Sequence, residues 1–233
     1  MGGVRPPRPV SASLTAVALL CASAAPGCAP SGRERSRVPV PAVAAALAAQ
    51  VSGVPAGKLG ASLRAGCPVP AERLRLVRMN HWGFDGRVHR GELVVHQDAA
   101  EPLLYVFGRA LEARFPIRRM RVAADYGGDD LAAMADDNTS AFNCRPVTGD
   151  AGRLSRHSWG LAVDVNPVEN PYVDRRGTVH PPAGRAHLRR DPARPGTITG
   201  DGVLARAFRR VGWHWGGEWW SSPDYQHFSA DGR

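Results

Sequence analysis

The chain has 233 residues, 43% of them hydrophobic, and a formal charge of +9. That length is enough to bury a core of ordinary size, and after the first thirty residues no apolar run is long enough to span a bilayer as a helix. Lys58 is the only lysine, so the positive charge is almost wholly arginine. The arginines are spread along the chain without interleaved aromatics, which argues against a nucleic-acid platform and leaves either an anionic surface as partner or a compositional bias toward Arg.

Residues 1–28 read as an export signal. Arg5 and Arg8 precede the small apolar run VSASLTAVALLCASAA, and Ala22-Ser23-Ala24 offers a cleavage site. A second reading makes Cys28, after Gly27, a lipidated N-terminus of a lipoprotein. Residues 29–59 read as a linker, polar and rich in Pro and Arg at 29–40, with a short Ala-rich helix over 41–50. Residues 60–233 read as one folded domain. Cys21 leaves with the signal and Cys28 lies ahead of the domain, so Cys67 and Cys144 remain, and export favours a disulfide between them.

Within the domain, 74–80 and 91–96 read as strands. Residues 99–115 place Leu103, Val106, Phe107, Ala110 and Leu111 at helical spacing until Pro116 ends the helix. IRRMRVAADY (117–126) reads as a strand and DDLAAMA as a short helix capped by Asp129. A long Pro/Gly/Arg-rich loop is expected over 166–200, a helix over 201–212 ended by Gly212, and two short strands around WHW and YQHF. Strands and helices mixed without regular βαβ repetition predict an α+β fold, with a small mixed, largely antiparallel sheet and flanking helices.

The chemistry gathers around SRHSWGLAVDVNP (155–167). Alternation over 161–165 puts Leu161, Val163 and Val165 on one strand face and Ala162 and Asp164 on the other, so Asp164 is free to face a cleft. A catalytic zinc takes three protein ligands, commonly His nitrogen and carboxylate oxygen, and leaves one position for water. His157 and Asp164 offer two, and His227 in the short apolar strand after SSPDYQ is the best candidate for the third. Asp224 and Glu218 are both candidates for the base that such a site needs. The other histidines (His81, His89, His96, His180, His187 and His214) show how readily a His pair arises by chance. Trp213, Trp215, Trp219 and Trp220 form an aromatic cluster, expected to pack around the strand of His227.

SRHSWGLAVD resembles the S-x-H-x-x-G-x-A-x-D signature of the zinc D-alanyl-D-alanine carboxypeptidases of the VanY type and of their relatives, the L-alanyl-D-glutamate endopeptidases of phage lysins and bacteria. The similarity runs from about residue 65 to 230, with NTSAFNCR, NPYV, GWHWGGEW and DYQHF also fitting. The resemblance implies a Hedgehog/D-Ala-D-Ala-peptidase-like zinc fold. It implies His157, Asp164 and His227 as zinc ligands and Asp224, three before His227, as general base. It also implies that Arg145 contacts substrate or the developing oxyanion. Ser155 either contacts substrate or hydrogen-bonds the turn. Many carboxypeptidases of this type have Glu at the base position; Asp224 is more like the endopeptidase branch.

The expectation is therefore a monomeric, secreted, Zn²⁺-dependent metallopeptidase acting on peptidoglycan stem peptides, most similar to the L-alanyl-D-glutamate endopeptidases. The alternatives are a D-alanyl-D-alanine carboxypeptidase and a wall-binding module that keeps the zinc fold without turnover. No nucleic-acid partner and no membrane span are expected.

Overall fold

The structure is a computed structural model and describes residues 46–148 and 150–232. The expected export signal, Cys28 and most of the linker lie outside the described residues. The strands in chain order are β1 (Gln50–Gly53), β2 (Leu74–Trp82), β3 (Val88–His96), β4 (Arg119–Met120), β5 (Asn138–Thr139), β6 (Pro146–Val147), β7 (Asp150–Leu154), β8 (Ala162–Asp164), β9 (Tyr172–Val173), β10 (Val179–His180), β11 (His214–Trp215) and β12 (His227–Ser229). The helices are α1 (Gln97–Glu112), α2 (Asp130–Ala135) and α3 (Val203–Arg210). The α+β class is as expected, but the strands form several small sheets. Antiparallel β1-β2-β3 and β11-β12-β8 are the two larger ones, and β4 pairs parallel to β5.

Strand alternation builds two cores on β2 and β3. Val77, Met79, Leu93 and Val95 point toward α1, where Leu103, Val106 and Phe107 meet them. Leu74, Leu76 and Val94 point the other way, against Leu59, Val69, Val122 and Phe142. Period-2 burial on both faces explains why β2 and β3 were legible as strands. Within the range expected as linker, Gln50–Gly53 hydrogen-bonds along β2 as an exposed edge strand.

The strand expected over 117–126 is reduced to Arg119–Met120. Asn138 is the physical reason: its Oδ1 accepts from the Arg121 N–H at 2.9 Å and its Nδ2 donates to the Arg121 carbonyl at 3.0 Å. Those are the groups a continuing strand would use, and the chain turns instead into a 3-10 helix, Ala123–Tyr126. Asp129 caps α2 as expected, its Oδ1 accepting from Leu131 and Ala132 N–H. The 166–200 loop is more ordered than its composition suggests. Asn170 donates to the carbonyls of Val165, Asn166 and Gly196 and accepts from Ile198 N–H and Arg190, and it is fully buried.

Cys67 and Cys144 are bonded, with Cα atoms 5.9 Å apart and 77 positions apart in sequence. The bridge fastens the segment ahead of β2 to the residue before Arg145. Closing so long a loop contributes about 2–5 kcal/mol, so reduction should lower Tm by about 5–15 °C. Calorimetry with and without reductant checks this. An unchanged Tm, with both thiols shown free, would contradict it.

Glu169 is buried against Asp137, and Arg118 lies 3.5 Å from each carboxylate. Burial, then the hydrogen bond and charge of Asp137, push the Glu169 carboxyl up to about 8. The folded chain then binds this proton more tightly than the unfolded chain, so stability falls as pH rises from the usual glutamate range through about 8. Urea midpoints across pH 5 to about 9 should decline less steeply for Glu169→Gln than for the parent. Equal slopes would remove this group as the cause.

Candidate metal centre

Three local devices bring His157, Asp164 and His227 together. His157 lies in a 3-10 helix, Arg156–Trp159, not in a strand; Ser155 Oγ caps that helix by accepting from the His157 N–H at 3.3 Å. The helix ends at Gly160, whose φ of +67° is left-handed. The carbonyl of Gly160 accepts from His96 N–H at 2.8 Å, and a Cβ at Gly160 would sit 2.5 Å from that nitrogen. The glycine of the H-x-x-G motif thus serves both the turn and the close approach to the end of β3. The antiparallel register of β12 with β8 then sets His227 directly opposite Asp164. Val163 and Val165 enter the core with Leu161 packed against it, so Asp164 faces the other way, as its alternation predicts.

All three side chains are buried. His157 Nε2 lies 3.0 Å from Asp164 Oδ2, His227 Nδ1 lies 3.0 Å from Asp164 Oδ1, and the two nitrogens are 3.3 Å apart. His157 Nδ1 is 2.5 Å from the Ala141 carbonyl. It must donate there, which leaves the Nε2 lone pair facing the other two ligand atoms. Ligands of a tetrahedral zinc at about 2.0–2.1 Å stand about 3.3 Å from one another. The donor set and its spacing therefore fit a zinc ion. Burial opposes ionisation of Asp164, but His157 and His227 outweigh it and hold the carboxyl well below the usual range.

The three residues lie on a cleft of about 500 Å³ that also takes in Asp224, Arg145 and Ser155. Asp224 Oδ1 is buried and has no hydrogen-bond partner among the described residues. Its backbone is pinned: Asp224 N–H donates to the Gly216 carbonyl at 3.0 Å, and His227 N–H donates to the Asp224 carbonyl at 3.2 Å. Gly216 is required there, since a Cβ would come within 2.8 Å of the Asp224 carbonyl oxygen. Burial, then the negative charge of Asp164, push the Asp224 carboxyl up to about 7 against the opposing pull of His227 and Arg145.

Arg145 is held in place by Asp130, a residue the sequence reading treated only as part of a helix. Arg145 Nη2 lies 2.8 Å from Asp130 Oδ1, and Thr148 donates to Asp130 Oδ2 at 3.1 Å. Ser155 makes the turn bond and donates its N–H to the Arg145 carbonyl at 2.9 Å. Glu218 is not brought to the cleft. It is largely exposed, lies 3.4 Å from Arg209 Nη2 and borders a separate small pocket.

The tryptophans divide. Trp213 is core, and Trp219 stands 5.4 Å from the His227 ring in the cleft wall. Trp220 is 98% exposed, so the packing expected of all four fails there. Tyr172, Arg153 and Arg175 also line the cleft. Sequence reading missed them, although Tyr172 stands in the NPYV stretch that carries part of the resemblance.

The buried His-Asp-His triad, with a carboxylate in the same cleft, could hold a metal ion. Residues 148–230 match the family model described as D-alanyl-D-alanine carboxypeptidase. The match supports a peptidase of that family; it contains His157, Asp164, Asp224 and His227, while Arg145 and both bridged cysteines precede it. No curated protein and no solved structure matches the chain.

Proposed function

We propose that the chain is an exported zinc peptidase that hydrolyses peptidoglycan stem peptides, cutting an L-alanyl-D-glutamate-type bond. The observation that carries this reading is the convergence of three lone-pair donors in a cleft within the span of the family match. His157 Nε2, His227 Nδ1 and Asp164 would hold the ion. Bound there, zinc supplies a Lewis acid for the scissile carbonyl and makes water a better proton donor.

Asp224 Oδ1 takes the proton from the attacking water and returns it to the leaving amine. Its buried oxygen, without a hydrogen-bond partner among the described residues, stands in the same cleft as the triad. Arg145, oriented by Asp130, faces negative charge on the substrate or on the tetrahedral intermediate. The carboxylate in this role is Asp, and this favours the endopeptidase reading. A D-alanyl-D-alanine carboxypeptidase is the second reading, favoured by the description of the matching family. A wall-binding module without turnover would have no use for Asp224 Oδ1, buried in the cleft with no hydrogen-bond partner among the described residues. The Cys67–Cys144 bridge and the charge of +9 suit an extracytoplasmic protein on an anionic wall.

Mass spectrometry of muropeptides treated with the purified protein separates these readings. Release of the stem peptide after L-Ala supports the endopeptidase, release of a single D-Ala supports the carboxypeptidase, and an unchanged digest supports the binding module.

A further inference from the structure

The cations of the cleft are not equivalent. Arg145 is matched by Asp130, and Arg156 lies 2.6 Å from Asp231 and over the Trp159 ring. Arg153, on β7, has only a loose contact with Asp150, 3.5 Å away, with both side chains exposed. Arg175 makes no ion pair among the described residues and is exposed, yet it lines the same cleft.

Arg175 is presented by a built turn. Asp174 Oδ1 accepts from the N–H groups of Arg176 and Thr178, both at 2.9 Å, and Gly177 takes the left-handed conformation with φ +77°. Asp174 Oδ2 also meets His180 Nε2 at 3.0 Å, and the His180 ring stacks on Tyr172 with centroids 5.7 Å apart. The β9–β10 hairpin is tied to the segment of Asp224: Tyr172 bridges Asp224, and Val173 N–H donates to the Pro223 carbonyl at 2.9 Å. Burial, then the charges of Asp224 and Asp174, push the Tyr172 phenol up against the opposing pull of Arg153 and Arg175. Arg153, with only its loose contact to Asp150, and Arg175, with no ion pair among the described residues, therefore line the same cleft as Tyr172 and Asp224.

We propose that Arg153 and Arg175 form a carboxylate-binding subsite of the cleft, with Tyr172 as its wall, that selects peptides carrying a free carboxylate close to the scissile bond. The inference rests on the peptidase reading given above. In a stem peptide that carboxylate has two sources: the α-carboxylate of a γ-linked D-Glu or the chain terminus. Guanidinium groups recognise either through charge-assisted hydrogen bonds.

The test uses the zinc-loaded protein and three peptides: L-Ala-γ-D-Glu-L-Lys-D-Ala, its D-Glu α-carboxamide and its C-terminal carboxamide. One amidation should raise KM for the parent by about 10-fold, with kcat less affected. Arg153→Gln/Arg175→Gln should bring the free-to-amidated ratio of kcat/KM for that carboxylate to about 1. Each single variant should fall between. Whichever amidation matters identifies the carboxylate that is read. Equal use of all three peptides by the parent, or undiminished discrimination by the double variant, overturns the subsite. If the parent cuts none of them, the peptidase reading fails, and titration calorimetry of the same peptides decides the subsite: affinity lost on amidation and in the double variant supports it, and equal affinities overturn it.

Discussion

Asp224→Asn lowers kcat by at least about 10²-fold and leaves the metal bound. The carboxylate stands in the cleft with Oδ1 buried and no hydrogen-bond partner among the described residues, a costly placement unless the atom is used. Burial, then the Asp164 charge, push its carboxyl up. General acid–base help is worth about 10²–10⁴-fold, or about 3–5 kcal/mol of barrier. Asn is nearly isosteric and cannot accept that proton at neutral pH, and the backbone bonds to Gly216 and His227 do not involve the side chain, so the fold should survive. Glu218→Gln, made in parallel, should cost little, because Glu218 is exposed and outside the cleft. Steady-state kinetics with metal analysis checks both variants. A fully active Asp224→Asn protein contradicts the assigned base, and loss of zinc from it makes Asp224 a ligand.

His157→Ala removes the metal and with it the activity. The parent should hold about one Zn²⁺ per chain, bound by three residues that all come from the protein. Without His157, only Asp164 and His227 remain of the triad, and two ligands do not make a closed structural or an open catalytic site. Elemental analysis should fall from about one zinc per chain to near zero. Added zinc should raise the Tm of the parent and not that of the variant, since only a ligand bound to the folded state stabilises it. Equimolar zinc in His157→Ala would require a different ligand set.

The triad was legible because its parts follow local rules. Alternation over 161–165 turns Asp164 away from the core, and His227 falls in a short strand that the apolar residues around it announce. Which residues would meet was not local. Asp164 and His227 are paired across β8 and β12 by a register that only the folded sheet fixes, and the strand around His227 made it a candidate that the resemblance then preferred over six other histidines outside the motif. Asp130 was missed because it follows the capping Asp129 and opens the helix, where an acidic residue is ordinary. Its bond to Arg145 joins residues 15 positions apart, and no period in the sequence signals it. Tyr172, Arg153 and Arg175 were missed for a related reason. Tyr172 and Arg175 sit on a hairpin held by Asp174 and the Asp224 segment, and Arg153 on the separate β6–β7 hairpin, contacts that composition reads only as loop. The edge strand 50–53 buries none of its four residues, so it left no pattern to read.

The most direct measurement is muropeptide hydrolysis by one preparation followed through three states: as purified, after metal removal by chelation and dialysis, and after return of Zn²⁺. The His157-Asp164-His227 centre predicts that cleavage is lost with the metal and returns with it, in step with zinc content. A preparation shown to be metal-free that cleaves as fast as the original contradicts a zinc peptidase.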